Sequence, residues 1–547
     1  MSQLGSQVIA QEKLAPSGAP TAGGTGSEPV LVATIGSVSK LQKDVSYLAA
    51  AVGQPGAGGM FAGMSAMFTN GVDPSRPIGI IVPIVEQSPE PIVLIPTDDV
   101  EILLKTLEGQ TGGFDKLDDG TMVISVAGTV IYVKQAGTWA VVTRSRDLIK
   151  MAPSNPEKYF DGMGNDYDLA FRLNMQLVPA NARAMLIAQM RQGFEQAMAR
   201  NDDNEAAAYA ESTIEQLEML INQTDELFFG WNTDVDGRQL VFDSKFTAVA
   251  GSRFAAMYGG QAAIPSRFAS VIRPDAAVYL HGAASMGPEI VEQSRDSIGG
   301  TVAMLKNMLI QQGNLPEDQA KEIGGLIDRV ADLTLDSIAE GKSDAGAVLL
   351  ANSDFLEFAF GAFVADGNEV AQLAKDIAAK VQGQPGAPAF KFDIGKYNGV
   401  MMHRVEAEVP ESETEARKVF GDVLKVHIGT SDDAVYLAMG DASVPLLKGL
   451  IDSGSTDANS NRPLSQGRIM MLPIVQYVQS VETNAVIDAM VEVLNREGLA
   501  GKVEFVVNGV ANGQSSKATI GEGVLKAIGA GIEAGQQQAR ANAARDF

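Results

Sequence analysis

The sequence predicts an α+β protein built as two divergent tandem repeats, each an antiparallel sheet covered by helices and helical hairpins. Three observations carry that expectation. Short runs alternate apolar with polar residues between Gly, Asp and Asn clusters, as half-buried strands do. Longer runs place apolar residues every three or four positions, as amphipathic helices do. These runs then return in the same order further along the chain.

Residues 1–29, rich in Gly, Ala, Pro and Ser, read as a disordered N-terminal tail. The first repeat, 30–260, opens with "VLVATIGSVSKLQKDV" at 30–45, a strand running into a helix, and continues with "GQPGAGGMFAGMSAMFTNG" at 53–71, whose glycines read as a loop bearing Met and Phe. "PIVLIPTDDVEILLKTL" at 91–107 is an apolar strand, a polar capping turn and an amphipathic helix. "TVIYVKQAGTWAVVTRSRDLIKMA" at 129–152 is a hairpin whose second strand leads into a helix. After the strand of "DLAFRLNMQLVPANARAML" at 168–186, Leu186, Met190, Phe194 and Met198 mark one helix and Ile214, Leu217 and Ile221 another. The polar "RNDDNE" between them makes an antiparallel pair, and "DELFFGWNTDVDGRQLVFDSKF" at 225–246 closes the repeat as a hairpin turning at Asp236-Gly237.

The second repeat, 268–535, follows "YGGQAAIPSRF" and keeps the order. "PDAAVYLHGAASMGPEIVEQ" at 274–293 matches the opening strand and helix, and residues 301–331 form a second helical pair with Pro316 suited to a helix start. "FGAFVADGNEVAQLAKDI" at 360–377 matches 91–107, and "LKVHIGTSDDAVYLAMGDASVPLLKGL" at 424–450 matches 129–152. "SGSTDANSNRPLSQG" at 453–467 reads as a loop, "GRIMMLPIVQYVQSVETN" at 467–484 matches 168–186, and "KVEFVVNGVANGQSSKATI" at 502–520 matches the closing hairpin. Residues 536–547 form a polar C-terminal tail. A long unit present only twice fits neither a solenoid nor a propeller.

Composition narrows the chemistry. The 547 residues are 45% hydrophobic, enough for a substantial core. Lys and Arg total 42 against 67 Asp and Glu, a formal charge of −25 that repels phosphate backbones and discounts nucleic acid as a partner. The chain has no cysteine, which excludes disulfides, thiolate nucleophiles, Fe–S clusters and Cys-ligated zinc. No sustained apolar run predicts a transmembrane segment.

Two local patterns resemble sites. Ser285 stands where an apolar strand turns into a helix, the position of a nucleophile elbow; the same junction recurs at 30–45, 168–186 and 467–484, so it reads as a repeated structural device, with Pro288 suited to the first helical turn. In "NTDVDGRQLVFD", Asn232, Asp234 and Asp236 fall at positions 1, 3 and 5 of a twelve-residue calcium loop, Gly237 at 6 and Asp243 at 12. Both flanks are strand-like, which favours a hairpin over calcium. His281, His403 and His427 lie in separate strand segments with no metal-ligand spacing. Carboxylates cluster in turns and helix starts, at 97–99, 117–120 and 431–433, where Asp caps free backbone N–H groups. No catalytic residue, cofactor or metal is therefore expected.

The segments "TVIYVKQAGTWAVVTRSRDLIKMAP", "YDLAFRLNMQLVP" and "IEQLEMLINQTDELFFGWNTD" resemble a family of uncharacterised exported planctomycete proteins, loosely similar to the DUF3352 type, over much of 77–258 and more weakly in the second half. The resemblance implies an extracytoplasmic setting and transfers no catalytic residues. "VIA" followed by "QEKLAPSGAPTAGGTG" has the look of a cleavage site leading into a mature terminus, so a periplasmic or extracellular location is expected, with the cytoplasm as the alternative. The leading functional expectation is a noncatalytic envelope or periplasmic protein acting through its surfaces on a protein or envelope component. A carrier of an apolar small molecule or lipid between sheet and helices, suggested by 22 Met and 21 Phe, comes second. A hydrolase of unrecognised site geometry comes third.

Overall fold

The computed structural model describes residues 28–153, 155–198, 204–312, 317–383, 386–454, 462–482 and 484–544. Of the expected N-terminal tail only residues 28–29 are described, and the expected C-terminal tail is corrected, since residues 536–543 continue the helix Glu522–Ala543. The first half supplies β1 (Leu31–Ile35), β2 (Ile78–Val82), β3 (Ile92–Pro96), β4 (Asp115–Lys116), β5 (Met122–Val126), β6 (Thr129–Ala136), β7 (Trp139–Thr143), β8 (Leu169–Asn174), β9 (Thr224–Asp234) and β10 (Gln239–Ala248). The second supplies β11 (Val278–Ser285), β12 (Lys342–Ala351), β13 (Leu356–Phe363), β14 (Ala389–Tyr397), β15 (Val400–Glu408), β16 (Val423–Thr430), β17 (Ala434–Met439), β18 (Ser465–Met470), β19 (Lys502–Val510) and β20 (Gly513–Gly521). All twenty join one antiparallel sheet, an α+β architecture.

The spatial order is β4-β5-β6-β7-β3-β2-β1-β8-β9-β10, then β20-β19-β18-β11-β12-β13-β17-β16-β15-β14. Each strand of the first half thus occupies the place that the strand ten numbers higher occupies in the second. The halves meet edge to edge where β10 pairs antiparallel with β20, from Gln239 opposite Gly521 to Thr247 opposite Gly513. Their outer edges are blunted. β4 has two residues, and β14 is broken by a register shift between Lys391 and Gly395, with Asp393 at φ +53°.

Helices cover both faces of the outer sheet, although the alternation of its strands reads as half-buried. Trp139 and Val141 of β7 point into a core with Leu148 of the 3₁₀ helix Arg146–Met151, whereas Ala140 points to the other side, against Leu103 and Leu104 of the helix Val100–Thr111. Four of the five residues of β7 are buried, so alternation there is apolar on both sides, as in a central strand. The second half matches this. Leu447, Leu450 and Ile451 of the helix Ser443–Ser453 pack on Ala434, Tyr436 and Ala438 of β17.

The segment 53–71 is a correction: Pro55–Phe68 is a helix, where a loop was expected. Its glycines permit close approach to the preceding helix Val38–Ala51, since a Cβ on Gly58 would stand 2.8 Å from Ser46 Cα. Tertiary packing overrides the poor intrinsic propensity of glycine. Of 453–467, residues 455–461 lie outside the described residues, while Ser465 onward is strand rather than loop. The helical pairs expected at 181–223 and 301–331 are Ala180–Met198 with Asn204–Gln223, and Pro288–Gln312 with Glu317–Ala339; Pro316 lies outside the described residues.

In the middle of the sheet the two faces differ. Cross-strand pairing aligns Leu169, Trp231, Phe242, Ala518, Phe505, Gly467 and Leu280 in one row across seven strands. Leu169, Phe505 and Leu280 of that row are 40%, 37% and 48% exposed, so this apolar face is only partly covered. The opposite face carries Asp243, Lys517 and Glu504, one residue out of register with the row.

Candidate functional site

On the apolar face, the Asn204–Gln223, Arg253–Gly259 and Pro288–Gln312 helices line a half-open cavity of about 280 Å³ against β9 and β10. Two local features shape its floor. The register of β9 on β10 shifts between Thr224 and Glu226, so Asp225 is an extra residue. Thr224 then pairs with Ala248 and Leu227 with Phe246, two residues apart on β10, which puts Thr224 and Leu227 on the same face. The short helix Arg253–Gly259 is fixed at its start by Ser252, whose hydroxyl accepts from Ala255 N at 3.0 Å, and by Gln223, whose side-chain oxygen accepts from Phe254 N at 2.8 Å. It lays Phe254 and Tyr258 on Phe246, with ring centroids 5.5 and 4.7 Å away.

Met219, Leu220, Leu227, Phe246, Phe254 and Met257 supply apolar wall; Gln216, Thr224, Tyr258 and Gln293 supply the polar groups. None of these described wall residues is charged. Burial pushes the Tyr258 hydroxyl above its ordinary pKa, which keeps it neutral. Thr224 is 1% exposed, and its hydroxyl has no hydrogen-bond partner among the described residues. Leu220, 42% exposed, and the exposed Gln216 stand at the mouth.

The second half differs after its last strand. There the Glu522–Ala543 helix takes the position of the seven-residue Arg253–Gly259 helix and runs for 22 residues. Val475, Val491, Leu494 and Ala527 form a closed core with Ile487 and Met490. Gly531 permits this, since a Cβ on it would stand 3.3 Å from Met490.

The residues singled out by sequence go elsewhere. Ser285 ends β11 ahead of the helix Pro288–Gln312, as expected, but its hydroxyl donates to Gly260 O at 2.9 Å and accepts from Ala262 N at 2.9 Å. It pins the segment joining the halves. Asn232 and Asp234 lie at the end of β9, Asp236 in the turn and Asp243 in mid-β10 on the polar face, so the four do not form a coordination loop. Asn232 accepts from Lys40 Nζ at 3.0 Å, Asp234 from Gly237 N at 2.8 Å, and Asp243 from the Tyr167 hydroxyl at 3.1 Å. The hairpin itself corrects one detail. The last pair is Asp234 with Gln239, giving a four-residue loop with positive φ at Arg238, where a two-residue Asp236-Gly237 turn was expected.

The histidines do not converge. His403 and His427 sit on adjacent strands but on opposite faces, since His403 pairs with Ile428 and Arg404 with His427. His403 contacts the Thr430 hydroxyl and His427 the Ser443 hydroxyl, each at 3.0 Å. Burial lowers the pKa of both. His281 contacts Ser266, which donates to Asp344 at 2.6 Å; all three are buried, and Ser266 bridges the other two. Among the described residues no group of three or more His, Asp and Glu is placed to hold a metal.

Sequence reading missed one charged cluster. Lys40 joins Asp44, Asp168 and Asn232, and Thr233 N donates to Asp168 Oδ2 at 2.8 Å. Burial, and then the neighbouring Asp168, pushes the Asp44 carboxyl up to about 6 against the pull of Lys40. Burial acts on Asp168 too, but hydrogen bonds from Lys40, Asp44 and Thr233 outweigh it and hold that carboxyl below its usual range. The i, i+4 spacing of Lys40 and Asp44 was a legible signal; Asp168, 128 residues away, gave none.

Among the described residues no helix is long and apolar enough to cross a membrane. No family model, curated protein or solved structure matches the chain.

Proposed function

We propose that this is a noncatalytic binding protein that holds an apolar small molecule between its sheet and helices. The cavity at β9 and β10 carries that reading: it is apolar, bears a few polar groups, and lies where the halves meet, because Gln293 comes from the second half. Ligand sites favour such junctions. The matching strand order supports a tandem duplication. An exported setting, of the kind the planctomycete resemblance implies, is compatible with a cysteine-free carrier.

Titration with the neutral probe N-phenyl-1-naphthylamine tests this. Saturable one-to-one fluorescence enhancement is expected, and Leu227→Trp, which fills the cavity, is expected to abolish it while preserving the far-UV spectrum. Absence of saturable binding to the native protein ends the reading.

A second reading, docking of another protein, draws on one observation. Met60, Met64 and Met67 are 65%, 54% and 69% exposed along a helix with no charged residue.

A further inference from the structure

We infer that Lys40 and Asp168 join in an intramolecular amide bond promoted by Asp44, which gives this cysteine-free chain a covalent cross-link of another chemistry. The inference stands apart from the cavity. Lys40 lies in the first turn of the helix Val38–Ala51, and Asp44, one turn on, accepts from its Nζ at 3.0 Å. Asp168, 128 residues away and immediately before β8, meets the same Nζ through Oδ1. The Asp44 and Asp168 side chains are each 5% exposed and bond to one another. An ordinary salt bridge needs one cation and one carboxylate. Here one cation faces two buried carboxyls, and Asp44 is the one that keeps a proton up to about pH 6. An amine, a carboxyl carbon beside it and a second carboxyl touching both are the groups that amide condensation requires.

The ion pair is the state from which the bond forms. The Lys40 ammonium gives a proton to Asp168, leaving a neutral pair that has less to lose by burial. Nζ then attacks Cγ of Asp168, and the C–N bond forms as the C–Oδ1 bond breaks. Oδ2 stays as the amide oxygen; it accepts from Thr233 N at 2.8 Å, so a backbone donor already stands where negative charge develops. Asp44 passes its proton to the departing Oδ1 and takes the one that Nζ releases. One ammonium and one carboxylate are consumed, one amide and one water are formed, and Asp44 ends unchanged. Fixed contact makes the step effectively unimolecular, and burial keeps bulk water from reversing it.

Tryptic peptide mapping of the full native chain by mass spectrometry tests this. A branched peptide is expected, uncleaved at Lys40, containing Asp168 and lighter by one water than its two arms together. Lys40→Arg keeps the positive charge but offers no amine, and is expected to lose the branch entirely. Asp44→Asn keeps both reacting groups and is expected to slow joining about a hundredfold, read as near-complete loss of the branch in freshly purified protein. Far-UV spectra matching the native one show that the variants fold, and the native map decides the bond even where a variant does not. Recovery of Lys40 and Asp168 in separate linear peptides overturns the inference. So does a branch that has lost ammonia and joins Lys40 to Asn232, whose Oδ1 lies 3.0 Å from Nζ. A branch as abundant in Asp44→Asn as in the native chain overturns the part given to Asp44.

Discussion

Ser244 and Ser516 face each other across the seam between the halves, their hydroxyl oxygens 2.7 Å apart on directly paired residues of β10 and β20. Each half-buried hydroxyl satisfies the other. Removing one strands its partner, whereas replacing both with a β-favouring apolar residue strands neither. Ser516→Ala is expected to cost about 1 kcal/mol, and Ser244→Val with Ser516→Val close to nothing. A double-mutant cycle on thermal unfolding measures the coupling; additive losses would show that the two hydroxyls act independently.

The halves are also locked by helices exchanged between them. The C-terminal Glu522–Ala543 helix of the second half crosses the Val38–Ala51 helix of the first, and the Arg253–Gly259 helix of the first touches the Pro288–Gln312 helix of the second. At the first crossing the backbones meet, and a Cβ on Gly529 would stand 2.5 Å from the Val52 carbonyl. Backbone cannot yield as a side chain can. Gly529→Ala is expected to destabilise by about 1–3 kcal/mol, although alanine is the better helix former. Gly535, in the same helix, has only ordinary contact with Val486 at 3.7 Å, and Gly535→Ala is expected to stabilise by up to about 1 kcal/mol. Melting temperatures that move together for the two variants would disprove the close crossing.

Local patterns made the fold class and element order readable, because strand alternation and helical periodicity are written in neighbouring residues. The hairpin at Asp234–Gln239 and the strand-to-helix junction at Ser285 were legible for that reason. The helix Pro55–Phe68 was not, because its close packing on Ser46 is a tertiary fact that glycine propensity argues against. The cavity was legible only as a surplus of Met and Phe. Its floor depends on a one-residue bulge at Asp225, which periodicity does not report.

The Lys40 cluster predicts an unusual pH response. Asp44 binds its proton more tightly when folded, near 6, than unfolded, near 3.9. The folded state therefore gains stability from Asp44 as pH falls from about 7 towards 4, on the order of 2 kcal/mol at most. Asp168, lowered in the fold, gives the opposite trend below about pH 4. His403 and His427, also lowered, oppose Asp44 below about pH 6.5. Comparison with Asp44→Asn isolates the effect. Urea midpoints at pH 7.5 and pH 5 are expected to shift in favour of the native protein on acidification, relative to the variant. A constant difference between the two would place the Asp44 carboxyl at its ordinary value.

Arg238 holds a left-handed conformation, φ +55°, at the turn between β9 and β10, and its side chain reaches Glu497 and Glu522 of the second half. Two terms of opposite sign therefore meet at one residue. The left-handed backbone costs a non-glycine residue about 1 kcal/mol. The guanidinium spans two carboxylates that are 14% and 10% exposed and share Lys526 as their other cation. Arg238→Ala removes the ion pairs and keeps the strain, whereas Arg238→Gly removes both. Thermal unfolding is expected to rank native above Arg238→Gly and Arg238→Ala lowest, with the two variants about 1 kcal/mol apart. Molar salt should narrow the gap between native protein and Arg238→Gly, since screening weakens the half-exposed guanidinium pairs, and leave the gap between the variants unchanged, since backbone strain carries no charge. If Arg238→Gly proves more stable than the native protein, the ion pairs contribute less than the turn costs, and the hairpin is not held to the C-terminal helix by charge.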